Sequence, residues 1–252
     1  MVSVKSESRL LQADFEKRWR KRFEEFAALR DDDAGIAGWT SSGLDVRFRN
    51  FVNLWQSTTH GQSWLDVGCG AGTYSRYLAS RGARVVGLDY CLASVAKAKR
   101  RDTGNCCWAA ADVTRLPLKA GGVDGVICFG VLQALTSSGP AIRELVAQVG
   151  EGGEVWIDAL NGYCIANVLQ RMLRWLHGKS MHLRYESPRR LKGLMIEAGL
   201  SEVRIHWIPI LPAGLKALQP AMDGRLFGLL LRYVPGLGMF FSHSCLLRGV
   251  KR

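Results

Sequence analysis

The stretch "WLDVGCGAGTYSRYLASRGARVVGLDY", Trp64 to Tyr90, constrains this chain more than any other. An apolar run ends in three closely spaced glycines, Gly68, Gly70 and Gly72, and a second apolar run ends in an acid, Asp89. The helix-like segment "TYSRYLASRG", stopped by Gly82, joins the two. Two strands joined through a helix run parallel in one sheet. The turn leaving the first strand then sits at the carboxyl edge, where open α/β folds bind ligands. Glycine there lets backbone N–H groups approach a ligand with no side chain in the way. A carboxylate at the end of the second strand adds a pair of acceptor oxygens to that edge.

The alternation continues. "LASVAKAKRR" reads as a helix, "CCWAAAD" as a third strand and "GVDGVICFG" as a fourth. "AIRELVAQVG" reads as a helix stopped by Gly150, followed by a fifth strand, "GGEVWIDAL". "SPRRLKGLMIEAGL" restarts a helix, with Ser187 as cap and Pro188 in its first position. "SEVRIHWIPI" and "SHSCLLRGVKR" give a sixth and a seventh strand. The expected fold class is α/β, a seven-stranded, mostly parallel sheet with helices on both faces. Ahead of it, residues 1–30 read as an amphipathic helix carrying Phe15, Trp19, Phe23 and Phe26. Residues 30–45 read as a loop marked by Gly and Ser, and "VRFRNFVNLW" as a further helical segment. The expected organisation is an N-terminal helical lid over residues 1–60 and a ligand-binding domain over 61–252. The domain carries insertions at about 163–187 and 211–241.

An apolar share of 48% lets 252 residues bury a large core. No apolar run reaches the roughly 18–20 residues that span a bilayer, and the first residues lack the apolar core of a signal peptide. Cysteines number seven, with no C-x-x-C pair. That pattern reads as reduced thiols in a cytoplasmic protein rather than disulfides or zinc ligands, and no metal is expected. The net charge of +12 calls for anionic company: nucleic acid, a phospholipid surface or a phosphorylated acceptor.

The glycine turn stands as Asp66-Val67-Gly68-Cys69-Gly70-Ala71-Gly72. With its leading acid it resembles motif I of the class I S-adenosylmethionine-dependent methyltransferases, written D/E-x-G-x-G-x-G. The resemblance runs over residues 63 to about 160 and, more weakly, 187–208 and 242–252. It implies a Rossmann-like fold and S-adenosylmethionine as cofactor. By the same resemblance, Asp66 supports the loop near the methionine end and Asp89 binds the ribose hydroxyls; Tyr90 beside it reads as an adenine-facing ring or as a packing tyrosine. Asp112 meets the adenine amino group, with backbone contact from Val113, and Phe129 and Gly130 edge the methionine pocket. A dinucleotide would use the same glycines and Asp89, but it leaves Asp66 and Asp112 without a role.

The acceptor is less legible. Methyl transfer to oxygen benefits from a general base. His182, His243 and Asp158 are the candidates, with Asn161 at the same strand end. Gln133 stands where small-molecule relatives often carry His or Glu, which removes the usual residue of that position. The fourth-strand motif "CFGVLQAL" is not the Asn/Asp-Pro-Pro-Tyr/Phe pattern of enzymes acting on exocyclic amines, and the chain has no separate RNA-binding module. Both features argue against nucleic acid. Residues 163–192 hold seven basic residues against one acidic, in an apolar setting, and residues 211–252 hold six against one. Such stretches suit contact with an anionic membrane, at its inner face, or a packed cap with its arginines in water. The expected function is methylation of a small or lipid-linked acceptor, at oxygen. An RNA methyltransferase and a non-catalytic cofactor-binding scaffold are the alternatives.

Overall fold

The computed structural model describes residues 4–55, 61–104, 106–178, 183–211, 217–222, 224–234 and 236–252. The elements run α1 (Val4–Leu29), α2 (Asp33–Ile36), α3 (Ser41–Leu54), β1 (Ser63–Val67), α4 (Thr73–Ser80), β2 (Arg84–Asp89), α5 (Leu92–Arg101), β3 (Cys106–Ala110) and β4 (Val123–Cys128). A 3-10 turn, Leu132–Ala134, precedes α6 (Ser138–Gln148), β5 (Val149–Leu160), α7 (Ile165–Leu176), α8 (Pro188–Glu197) and β6 (Leu200–Ile208). The chain then forms α9 (Gln219–Met222), α10 (Arg225–Tyr233), α11 (Leu237–Phe241) and β7 (Ser244–Lys251).

The seven strands lie in the order β3-β2-β1-β4-β5-β7-β6. β1 to β5 pair in parallel, and β7 runs antiparallel between β5 and β6. Successive side chains point to opposite faces, so each strand feeds two cores. Leu65, Val126, Val155, Ile157 and Leu247 pack towards α6 and α8. Trp64, Ile127, Phe129 and Trp156 pack on the other face, under Phe51 and Tyr74. Phe51 meets Tyr74, Phe129 and Trp156 edge-on, with ring centroids 5.6, 5.3 and 5.5 Å apart. Each such pair adds about 1 kcal/mol beyond area burial. Asp66 and Asp158 follow Trp64 and Trp156 by two residues. Alternation therefore places both acids on this aromatic face, at the carboxyl ends of their strands.

Three local expectations are corrected. Residues 30–45 are not a plain loop. Asp32 Oδ1 accepts the Gly35 N–H at 2.7 Å and caps α2, and Thr40 Oγ1 accepts the Gly43 N–H at 3.1 Å and caps α3. Gly150 does not stop the fourth-strand helix. That helix ends at Gln148, and Lys251 Nζ donates to the Val146 and Val149 carbonyls at 3.1 and 2.6 Å, so no glycine cap is needed. The third strand ends at Ala110 and the fourth at Cys128, which leaves Asp112 and Gly130 in the turns beyond them. All seven cysteines are free thiols, and Cys107 alone is exposed.

Candidate active site

The three glycines of the first turn take the left-handed region, with φ of 78, 51 and 81° at Gly68, Gly70 and Gly72. They are bare for different reasons. A Cβ on Gly68 would lie 2.0 Å from Val131 Cγ2, and one on Gly72 would lie 2.4 Å from Trp108 Cη2. Those two glycines make room for packing. A Cβ on Gly70 would meet nothing within 4 Å, so only Gly70 faces open space. Gly68 and Gly70 line the main cleft and Gly72 does not. Gly72 sits at the entry to α4, beneath the indole of Trp108.

Three acids stand along the same cleft, beyond or at the ends of β1, β2 and β3. Asp89 is buried and ties the turn together. Its Oδ2 accepts the Gly70 N–H at 2.9 Å and its Oδ1 the Cys91 N–H at 2.8 Å. Each oxygen retains a lone pair for a further donor. Burial raises its pKa against those two amides. Asp66 accepts from Ser75 Oγ at 2.6 Å, and burial pushes its pKa up to about 7 despite that bond. Asp112 is half-buried. Desolvation would raise its pKa, but the Thr114 hydroxyl and N–H and the Arg20 guanidinium together hold it below the ordinary carboxylate value. Val113 and Phe129 are buried in the same wall. Gly130, φ 77°, presses against the Trp39 indole, which a Cβ would meet at 2.7 Å.

The N-terminal helices close this cleft from above, and several of their residues escaped sequence reasoning. Glu16 on α1 accepts from the Thr136 N–H and hydroxyl at 3.0 and 2.6 Å, Arg20 pairs with Asp112, and Trp19 and Phe23 line the cleft between them. Tyr90 also lines it; its hydroxyl donates to the Arg20 carbonyl at 3.0 Å and its ring lies edge-on to Phe23. Asp33 on α2 accepts from Thr73 Oγ1, Arg76 and Arg101 at 2.5, 2.6 and 2.8 Å, and Asp31 pairs with Lys97 at 2.8 Å. The acid run "DDD" beside the later base run "KAKRR" was the available signal for this docking.

The proposed catalytic candidates lie elsewhere. Asp158 is buried behind the wall, accepting the Gly130 N–H at 2.6 Å and facing Arg47 Nε at 3.5 Å. Burial raises its pKa while Arg47 opposes the rise. Arg47 in turn lies over the Trp39 ring at 4.5 Å and donates to the Gly43 carbonyl. Burial and the Arg47 charge lower the His243 pKa to about 4, so its ring is neutral at pH 7. Neither Asp158 nor His243 lines the cleft. Asn161 is structural, donating to the Met239 and Ser242 carbonyls at 2.6 and 2.8 Å. His182 falls outside the described residues. Among the described residues, no group of three His, Cys, Asp or Glu could hold a metal ion.

Comparison with known proteins bears on this arrangement. Residues 65–157 match the family described as Methyltransferase domain. The chain is 31% identical over 151 residues to a ubiquinone biosynthesis O-methyltransferase of Pseudomonas fluorescens, a match covering 57% of this chain and 58% of that protein, under two thirds of its length. It is 26% identical over 215 residues to the protein of the same name from Burkholderia cenocepacia, covering 80% and 86%. Its fold is similar to magnesium protoporphyrin IX methyltransferase from Synechocystis PCC 6803 with bound SAH. That likeness has a TM-score of 0.60 and 16% identity, over 96% of this chain and 98% of the other.

Proposed function

We propose, starting from a class I S-adenosylmethionine-dependent methyltransferase domain on a seven-stranded sheet, that this chain moves a methyl group from S-adenosylmethionine to an oxygen of a small or lipid-linked acceptor. One observation carries the reading. The bare Cα of Gly70 and the carboxylates of Asp66, Asp89 and Asp112 face one cleft.

These groups fit the cofactor. Asp89 keeps two acceptor positions for vicinal ribose hydroxyls, and its amide bonds fix both oxygens in place. Gly70 leaves room for close backbone approach. Asp66, raised to about 7, gains from a cationic neighbour at the methionine end. Asp112 offers an acceptor to the adenine amino group, sharing it with Arg20, and Val113, Phe129 and Tyr90 give apolar walls. When bound, the cofactor supplies an electrophilic methyl on a sulfonium.

The chain's own contribution is orientation and exclusion of water. Trp19, Phe23 and Trp39 cover the cleft with apolar surface. The acceptor oxygen would take the methyl and give up its proton to solvent, with S-adenosylhomocysteine as the other product. Asp158 lies behind the wall and supports its shape through the Gly130 N–H and Arg47, and neither it nor His243 lines the cleft to take that proton directly. Similarity to ubiquinone biosynthesis O-methyltransferases supports oxygen as the acceptor atom and a lipid-tailed ring as the acceptor.

Titration calorimetry with S-adenosylmethionine, S-adenosylhomocysteine and NAD tests the cofactor. Micromolar binding of the first two alone is expected, and binding of NAD alone would sink the reading. Incubation with lipid-tailed catechols then tests the acceptor, with O-methyl product by mass spectrometry as the expected result.

A further inference from the structure

We infer that α7, α10 and α11 form a docking surface for an anionic phospholipid membrane, placed at the sheet edge where the cleft opens. The inference rests on the methyltransferase reading only for what the docking is for.

The orientation of α7 carries the argument. Its polar side faces the protein. Asn167 is buried and donates to the Asn161 and His243 carbonyls at 2.8 and 3.0 Å, and Arg171 donates to the Gly162 carbonyl at 2.7 Å. Its apolar side faces out. Ile165, Leu169, Met172 and Leu176 form one exposed stripe, widened by Leu173 and by Trp175, which is 77% exposed. An amphipathic helix in a globular protein normally turns the other way. α10 repeats the pattern, with Leu226 at 75% exposure and Leu229, Leu230 and Tyr233 on the same stripe. α11 packs against both helices and exposes Phe240 and Phe241. Contiguous apolar surface of this kind marks a contact site.

Charge selects the occupant. Within residues 163–192 the single acid, Glu186, is buried and paired with Arg184, so the surface there carries no exposed carboxylate. The bases Arg189, Arg190 and Lys192 are exposed. The start of α8 is held beside α7 by the Tyr163 hydroxyl on Ser187 Oγ at 3.2 Å. A second copy of a chain of net charge +12 would bring like charges together, whereas an anionic bilayer complements both the bases and the apolar stripes. Among the described residues no helix is long and apolar enough to cross a membrane, so the contact is with one leaflet. α7 begins five residues after the end of β5, whose Asp158 backs the cleft wall. A lipid-tailed acceptor held in that leaflet therefore lies at the correct edge of the sheet.

Flotation of the full chain with vesicles tests this. The vesicles are an equimolar mixture of phosphatidylglycerol and phosphatidylcholine, or phosphatidylcholine alone. Wild type is expected to float with the mixture and not with phosphatidylcholine alone. The double variant Leu169→Glu/Leu173→Glu should partition at least about tenfold more weakly, with S-adenosylmethionine affinity by calorimetry unchanged. No flotation on the anionic vesicles overturns the inference, as does unaltered flotation of the variant. A doubled mass in light scattering, reversed by the variant and indifferent to vesicles, assigns the face to a second copy and also overturns it. Flotation without cofactor binding keeps the docking surface and removes the methyltransferase reading.

Discussion

Asp89 does two jobs with one carboxylate, and its variants separate them. Asp89→Ala leaves the Gly70 and Cys91 amides without acceptors. The variant should lose about 1–3 kcal/mol of stability and at least about a hundredfold in S-adenosylmethionine affinity, read by denaturant melts and calorimetry. The sequence suggested a pure binding residue, but the bonds to the turn add the stability cost. The glycines separate in the same way. Gly72→Ala drives a methyl into Trp108 and should lower the melting temperature strongly. Gly70→Ala meets no neighbour and carries only the left-handed penalty of about 1–2 kcal/mol, so its larger effect should be on cofactor affinity. All three glycines look equivalent in the motif, because the neighbours that distinguish them, Val131 and Trp108, are remote in sequence. Asp66 gives a pH signature. Its folded pKa of about 7 lies above the 3.8 of a free aspartate, so the stability tied to its protonated form is complete below about pH 4 and is lost as pH rises through 7. Asp66→Asn should therefore gain melting temperature relative to wild type between about pH 5 and pH 8. Cofactor affinity of the wild type should rise over the same interval, while that of the variant stays flat.

At the level of elements, the N-terminal helices are held at the cleft by ion pairs as well as by apolar contact. Asp33 bridges Arg76 and Arg101, and Arg20 reaches Asp112 across the cleft. Partly exposed pairs contribute only about 0.2–1 kcal/mol each to stability, so Asp33→Ala should barely shift the melt. It should instead free α2, speeding cofactor dissociation by about tenfold in stopped-flow measurements, and high salt should mimic it on wild type. The helical nature of residues 1–30 was legible from the spacing of Trp19, Phe23 and Phe26, because burial follows helical period. The partner of Arg20 was not, since an ion pair with Asp112, 92 positions on, leaves no local pattern. α7 shows a sharper limit. Its periodicity is the same whether the apolar face turns inward or outward, and only the buried bonds of Asn167 and Arg171 decide.

For the whole molecule, the order of motifs along the chain was enough to fix a mostly parallel sheet, because each apolar run and its following helix leave few topologies open. The net charge and the segments that carry it were legible too, but not which side of α7 faces outward. If that charge served RNA, single-strand affinity would fall steeply with salt, with a log–log slope of about −0.7 per phosphate contact. The expected result is weak binding that leaves cofactor affinity untouched, measured by fluorescence anisotropy across a salt series. The sheet order has one more consequence. β6 has no neighbour except β7, and β7 also forms one flank of β5. β7 is also made after every strand it joins. During synthesis on the ribosome, β6 therefore waits unpaired, and the greasy helices between it and β7 wait with it. The half of the sheet from β3 to β5 can assemble first. The α10 and α11 part of the proposed docking surface is thus among the last parts of the molecule to be anchored. A nascent chain stalled before Ser244 would display that surface on an unfinished sheet, where chaperones and proteases find their targets.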